Sequence, residues 1–166
     1  MKRRFSLLIL IFILASGCAG QTIIKTEVEF KIKENKTAQV VVETQIPGTD
    51  KELEQTETVL IEKLKSANIF SSIVGKNQNA DFLLKINIEE LVRVSKSDRF
   101  WLGALAGRAK IAGKVTLVEN FSGRSIGSFY IESTSSGGTI FAGTTEDAIN
   151  KFADDIVKYL LEQVVN

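Results

Sequence analysis

The chain has no histidine and only one cysteine among its 166 residues, so whole classes of chemistry drop out before any motif is sought. Metal sites built on Cys and His, and nucleophilic catalysis that needs a histidine base, have no residues to work with. One cysteine makes no intrachain disulfide. Charge is close to balanced, with 21 basic and 20 acidic side chains mixed along the sequence. A nucleic-acid partner calls for a strongly basic face, and none is expected here. No cofactor, no metal and no catalytic residue is expected on these grounds.

What is there begins with the surroundings of that cysteine. Lys2, Arg3 and Arg4 precede an apolar run from Phe5 to Leu14, broken only by Ser6, and then come Ala15, Ser16, Gly17 and Cys18. Basic, apolar, then small is the order of an export signal. A transmembrane helix needs about 20 apolar residues, and this run has roughly half that. The small residues lead straight into cysteine, which resembles a bacterial lipobox. The resemblance implies that residues 1–17 are a signal peptide and that Cys18 is acylated and becomes the first mature residue. Two or three acyl chains at about 0.8 kcal/mol per buried methylene hold a protein at a membrane. Ala19 lacks the aspartate that favours inner-membrane retention, so an outer membrane, with the domain facing the periplasm, is expected in a Gram-negative host. Residues 18–21 leave only a short tether before a single domain over 22–166, enough chain for a real core.

Within that domain, Val28, Phe30 and Ile32 alternate with charged residues over 22–33, the period of a strand with one wet face. A polar turn leads to "AQVVVETQI", and the two runs read as a hairpin. Pro47 and Gly48 break the pattern, and Thr49 with Glu52 has capping-box spacing before a helix marked by Leu53, Leu60, Leu64 and Ala67 that ends near Asn68. Further strands are expected in "IFSSIVG", in "ADFLLKINIEELVRV" with Phe82, Leu84, Ile86 and Ile88 on one face, and on either side of Gly123. A last helix opens at Thr144, with Glu146 and Asp147 in its first turn, and faces the sheet through Ile149, Phe152, Ala153, Ile156 and Leu160. The sum is an α/β chain of the α+β kind: a two-layer sandwich of a mostly antiparallel sheet, about five to six strands, with two helices on one face.

One stretch departs from this ordinary pattern. "SKSDRFWLGALAGRAK", residues 95–110, joins two strands over more residues than a hairpin needs and carries the only tryptophan. Trp101, Leu102 and Leu105 form an apolar tip flanked by Arg99, Arg108 and Lys110. Four readings stay open: a lid folded over the end of the core, a contact for a partner, since Trp and Arg are enriched among interface hot spots, a tip that dips into a membrane, and a site that binds a ligand.

Other motifs yield less. Gly123-Arg124-Ser125-Ile126-Gly127 matches G-x-S-x-G, but a nucleophile elbow needs a strand-to-helix turn and a histidine, and this segment lies between two strand-like runs. Asn35 and Asn120 head glycosylation sequons that read as turns. "SSGGTIFAGTTED" lacks the Gly-Lys-Ser/Thr of a phosphate loop and reads as a backbone hinge. Asp98, Glu89 and Glu90 are the only acidic candidates for a carboxylate-only hydrolase near the unusual loop.

"RFWLGALAGRAK", "KVTLVENFSGRSIGSF", "SSGG" and "GTTEDAINKFADDIVKYL", in that order, resemble the C-terminal part of a bacterial lipoprotein family, domain of unknown function 4410. The resemblance covers about residues 80–162, the lipobox and the helix over 50–67. It implies structural glycines at Gly103 and Gly107, at the turn Gly123, and before the last helix at Gly137, Gly138 and Gly143. It implies no activity. The expectation is a lipid-anchored, non-enzymatic envelope module that meets an envelope protein through Arg99, Trp101, Leu102, Leu105 and Arg108. The alternative is a binding module for a lipid or small amphiphile, held in a pocket between helices and sheet.

Overall fold

The computed structural model describes residues 20–33, 35–76, 78–137 and 143–165. Residues 1–17, expected to be a signal peptide, and Cys18 and Gly138 lie outside the described residues. In chain order come β1 (Thr22–Val28), β2 (Ile32–Lys33), β3 (Thr37–Thr44), α1 (Asp50–Ala67), β4 (Ser72–Val74), β5 (Phe82–Val92) and α2 (Lys96–Leu102). A 3-10 turn at Gly103–Ala106 leads to β6 (Lys110–Glu119), β7 (Arg124–Thr134), α3 (Thr145–Glu162) and β8 (Val164–Val165). None of these helices is long and apolar enough to cross a membrane.

Six strands form one sheet in the order β1-β7-β6-β5-β3-β4. The pairs from β1 to β5 are antiparallel, while β3 runs parallel to both β5 and β4. α1 makes the crossover from β3 to β4, which is why that edge is parallel. The α+β two-layer architecture expected from the periodicities is the one the chain adopts.

Strand alternation sets the core. Val40 lies beside Leu84, Leu84 beside Leu117, and Val115 beside Phe129. All are buried under Leu60 and Leu64 of α1 and Phe152, Ile156 and Leu160 of α3. Burying each such side chain contributes about 1.5–3 kcal/mol. The space between helices and sheet is filled by these side chains. The other face of the sheet is wet, with Lys114 paired to Glu27 at 2.6 Å and Lys110 to Glu90 at 2.7 Å.

Two local expectations fail. Residues 22–33 and β3 do not form a hairpin: β1 pairs with β7 at one edge of the sheet, and β3 lies four places away. The alternation breaks at Val28, which is exposed, and the chain then dives under the helices, burying Phe30 and Ile32. Phe30 stacks on Phe129, and Ile32 pairs with Val164 of β8. Gly127 makes the crossing possible, because a Cβ there would stand inside the Phe30 ring. Thr49 does precede α1, but its hydroxyl donates to the Ile46 carbonyl at 2.8 Å and caps no helix N–H. The capping box expected there is absent, because Thr49 completes the turn after Pro47. The helix ends as expected at Asn68, in the left-handed conformation that closes it.

Candidate functional site

The loop between β5 and β6 is ordered by its own polar residues. Ser95 and Asp98 form a reciprocal capping box: the Ser95 hydroxyl accepts from the Asp98 N–H at 3.0 Å, and the Asp98 carboxylate accepts from the Ser95 N–H at 2.9 Å. The Ser95 hydroxyl and backbone hold the Asp98 carboxyl below its ordinary pKa. These bonds start α2, which places Arg99, Phe100, Trp101 and Leu102 around one short turn.

Successive residues of that turn go to opposite environments. Arg99 is 0% exposed, and its guanidinium donates to the carbonyls of Gly103 at 3.2 Å, Gly143 at 2.9 Å and Gly107. Its Nε has no hydrogen-bond partner among the described residues. Arg99 therefore does not belong to a contact surface, as the sequence reading placed it. It is a clamp that ties the loop to the segment entering α3, where three carbonyls converge on one cation. Gly143 is required there: its φ is +90°, and a Cβ would strike the Arg99 guanidinium and the Ser136 carbonyl.

The residues beyond Arg99 face water. Phe100 is 68% exposed, Trp101 79%, Leu102 54% and Leu105 89%. Phe100 and Trp101 meet edge to face, with ring centroids 5.2 Å apart. A lid folded over the core is excluded by these exposures. Phe100 was missed in the sequence, although its position beside Trp101 in an apolar run was a visible signal. Arg108 is exposed, and its guanidinium lies over Gly137, where a Cβ would stand 2.7 Å from Nε. Gly103 and Gly107 turn the tip at positive φ.

The charges near the tip are engaged. Lys96 pairs with Glu146 at 2.8 Å, which raises the lysine pKa. Glu90 holds Lys110. Asp98 sits in its capping box, so two of the three acidic candidates for hydrolysis, Asp98 and Glu90, are occupied in local bonds. Gly123 sits in the β6–β7 hairpin at φ +67°, with its N–H bonded to the Glu119 carbonyl at 2.8 Å. The G-x-S-x-G segment is thus a strand-to-strand turn running into β7.

Register brings one more region to this end of the sheet. Lys110 lies opposite Thr134, and Thr134 exchanges bonds with Gln21: its N–H donates to the Gln21 carbonyl at 2.9 Å, and Gln21 N–H donates to its hydroxyl at 3.0 Å. Gly20 packs against Thr134 and Lys151. The described chain therefore begins at the same end of the sheet from which the apolar tip projects.

No family model matches the chain, and no curated protein sequence matches it. Solved structures do. Two crystal forms of the PelC dodecamer from Paraburkholderia phytofirmans are 18% and 17% identical with TM-scores of 0.57 and 0.56, each alignment covering 89% of this chain and 99% of that one. A Xanthomonas campestris protein of the domain of unknown function 330 family is 10% identical with a TM-score of 0.55, covering 83% of this chain and 94% of that one. A lipoprotein so described from Caulobacter crescentus is more distant, at 16% identity and a TM-score of 0.35 over 73% of this chain and 88% of its own. PelC and the Xanthomonas protein share this fold.

Proposed function

We propose that the chain is a lipid-anchored, non-enzymatic module of the bacterial envelope, of the kind that domain of unknown function 4410 lipoproteins represent, and that the tip of the 95–109 loop is its contact surface. The observation that carries this is the exposure of Phe100, Trp101, Leu102 and Leu105 together on a loop whose backbone a buried arginine holds in place. Single exposed apolar side chains are ordinary; four in one ordered loop mark a surface that meets something. The lipobox-like sequence supplies the address, with Cys18 as the acylated residue and the outer membrane as the expected leaflet. The same fold occurs in a dodecamer in PelC, so an assembly of several copies is compatible with this role. An amphiphile pocket between helices and sheet has no support, since Leu60, Leu64, Phe152 and Ile156 fill that layer.

The test is photocrosslinking in living cells from position 105, with the Cys18 peptide weighed in the same preparation. An acylated Cys18 and a discrete adduct with any envelope component support the proposal. No adduct of either kind, together with unchanged envelope phenotypes in a chain carrying Trp101→Ser and Leu105→Ser, would remove the loop from the role.

A further inference from the structure

We infer that the occupant of this surface is the headgroup region of the bilayer that carries the anchor: Phe100, Trp101, Leu102 and Leu105 seat in it and fix the orientation of the domain. The inference rests on the anchoring of Cys18 proposed above. Its own evidence is positional. Gly20 and Gln21 are held at Thr134, which lies opposite Lys110 at the start of β6, immediately after the loop. Cys18 is two residues before Gly20, a reach of about 7 Å. From β1 to β6 is two strand spacings, about 10 Å. An acyl anchor leaving Gly20 therefore puts the membrane surface next to the tip, and a protein partner would have to enter between the two.

The side chains suit that plane. Tryptophan settles at the level of the headgroups because its ring is apolar and its indole N–H is a donor, and leucine and phenylalanine extend the apolar contact. Two of the nearby cations are turned or tied away from the tip. Arg99 is turned inward onto carbonyls, and Lys96 is paired with Glu146. Seating by apolar and aromatic groups predicts weak dependence on salt.

Trp101 is the only tryptophan, so its fluorescence reports the tip alone. The experiment places the full acylated protein in phosphatidylethanolamine and phosphatidylglycerol vesicles, some with lipid brominated close to the headgroup. The expected result is blue-shifted emission, quenching by the brominated lipid, protection from acrylamide, and little change on raising the salt. Leu105→Ser should reduce the quenching without altering the fold, since Leu105 is 89% exposed. An acylated protein whose Trp101 stays open to acrylamide and unquenched overturns this inference and leaves the anchoring intact. A chain recovered from cells with Cys18 unmodified overturns the anchoring, and the inference with it. A crosslink from position 105 in cells that yields a protein adduct and no lipid adduct also overturns it, while supporting the broader role of the loop.

Discussion

The two connections that flank β6 solve opposite problems. At its far end the β6–β7 turn is short, closed by Gly123, and its one aromatic, Phe121, stands fully in water. The neighbouring start of β3 is pinned by Asp81, which accepts from the Thr37 N–H at 2.8 Å, the Thr37 hydroxyl at 2.9 Å and Lys36 at 3.2 Å. At its near end the 95–109 loop is long, keeps four large apolar side chains in water, and buries an arginine to hold its backbone. The far turn is fixed by local geometry. The near loop is fixed by a tertiary bond to the segment before α3, and what it gains is a rigid presentation of apolar surface.

Removing the clamp is the strongest way to erase that contrast. Arg99→Ala leaves the Gly103, Gly107 and Gly143 carbonyls without their donor and should cost about 3 kcal/mol of stability in urea unfolding, with faster amide exchange over 95–109 than at the β6–β7 turn. Arg99→Lys should recover only part of this, since an ammonium cannot reproduce the planar fork. Equal protection in both loops would show that the arginine is not what orders the tip.

A paired glycine test sharpens the comparison. Gly143→Ala meets both a positive φ and the Arg99 guanidinium, and should cost about 3 kcal/mol. Gly123→Ala has a similar φ but open space around its Cβ, and should cost only about 1–2 kcal/mol. Similar losses at the two sites would deny the packing of Gly143 any role.

Acid should weaken the far end and the start of α2, along with the paired Glu27 and Glu52. Asp81 is held below its ordinary pKa by the Thr37 backbone and hydroxyl and by Lys36, and Asp98 by Ser95. A lowered folded pKa gives stability that is present above about pH 4 and lost as pH falls through the folded value. Asp81→Asn should lower stability near neutrality and flatten the acid limb of a pH titration of unfolding. An unchanged limb would assign the acid sensitivity to other carboxylates.

The smallest effect on stability is expected where the functional effect is largest. Trp101→Ser removes an exposed ring and should change unfolding by less than about 0.5 kcal/mol. A larger loss would mean that Trp101 packs against the domain after all.

Much of the architecture was legible as periodicity. Phe82, Leu84, Ile86 and Ile88 alternate and are buried; Ile149, Phe152, Ala153, Ile156 and Leu160 recur at helical spacing and are buried. Thr144 and Asp147 form the capping box that opens α3. These signals are local, and burial acts on them residue by residue. The pairing of β1 was not legible, because an alternating run has no label for its partner, and the crossing toward β3 passes Phe30 over Gly127, a contact between residues far apart in sequence.

The candidate site divides the same way. Composition and order settled that histidine chemistry is absent and that Trp101, Leu102 and Leu105 form an apolar tip. Whether each residue of "DRFWL" points inward or outward was a tertiary matter: a cation was buried where three backbone carbonyls converge, and the aromatic residues beside it were left in water. The arrival of Gln21 beside Thr134, which brings the start of the domain to the tip, was likewise decided by strand register alone. Backbone hydrogen bonding is blind to side-chain identity, so sequence pattern proposes strands but only the packed sheet fixes which ends meet.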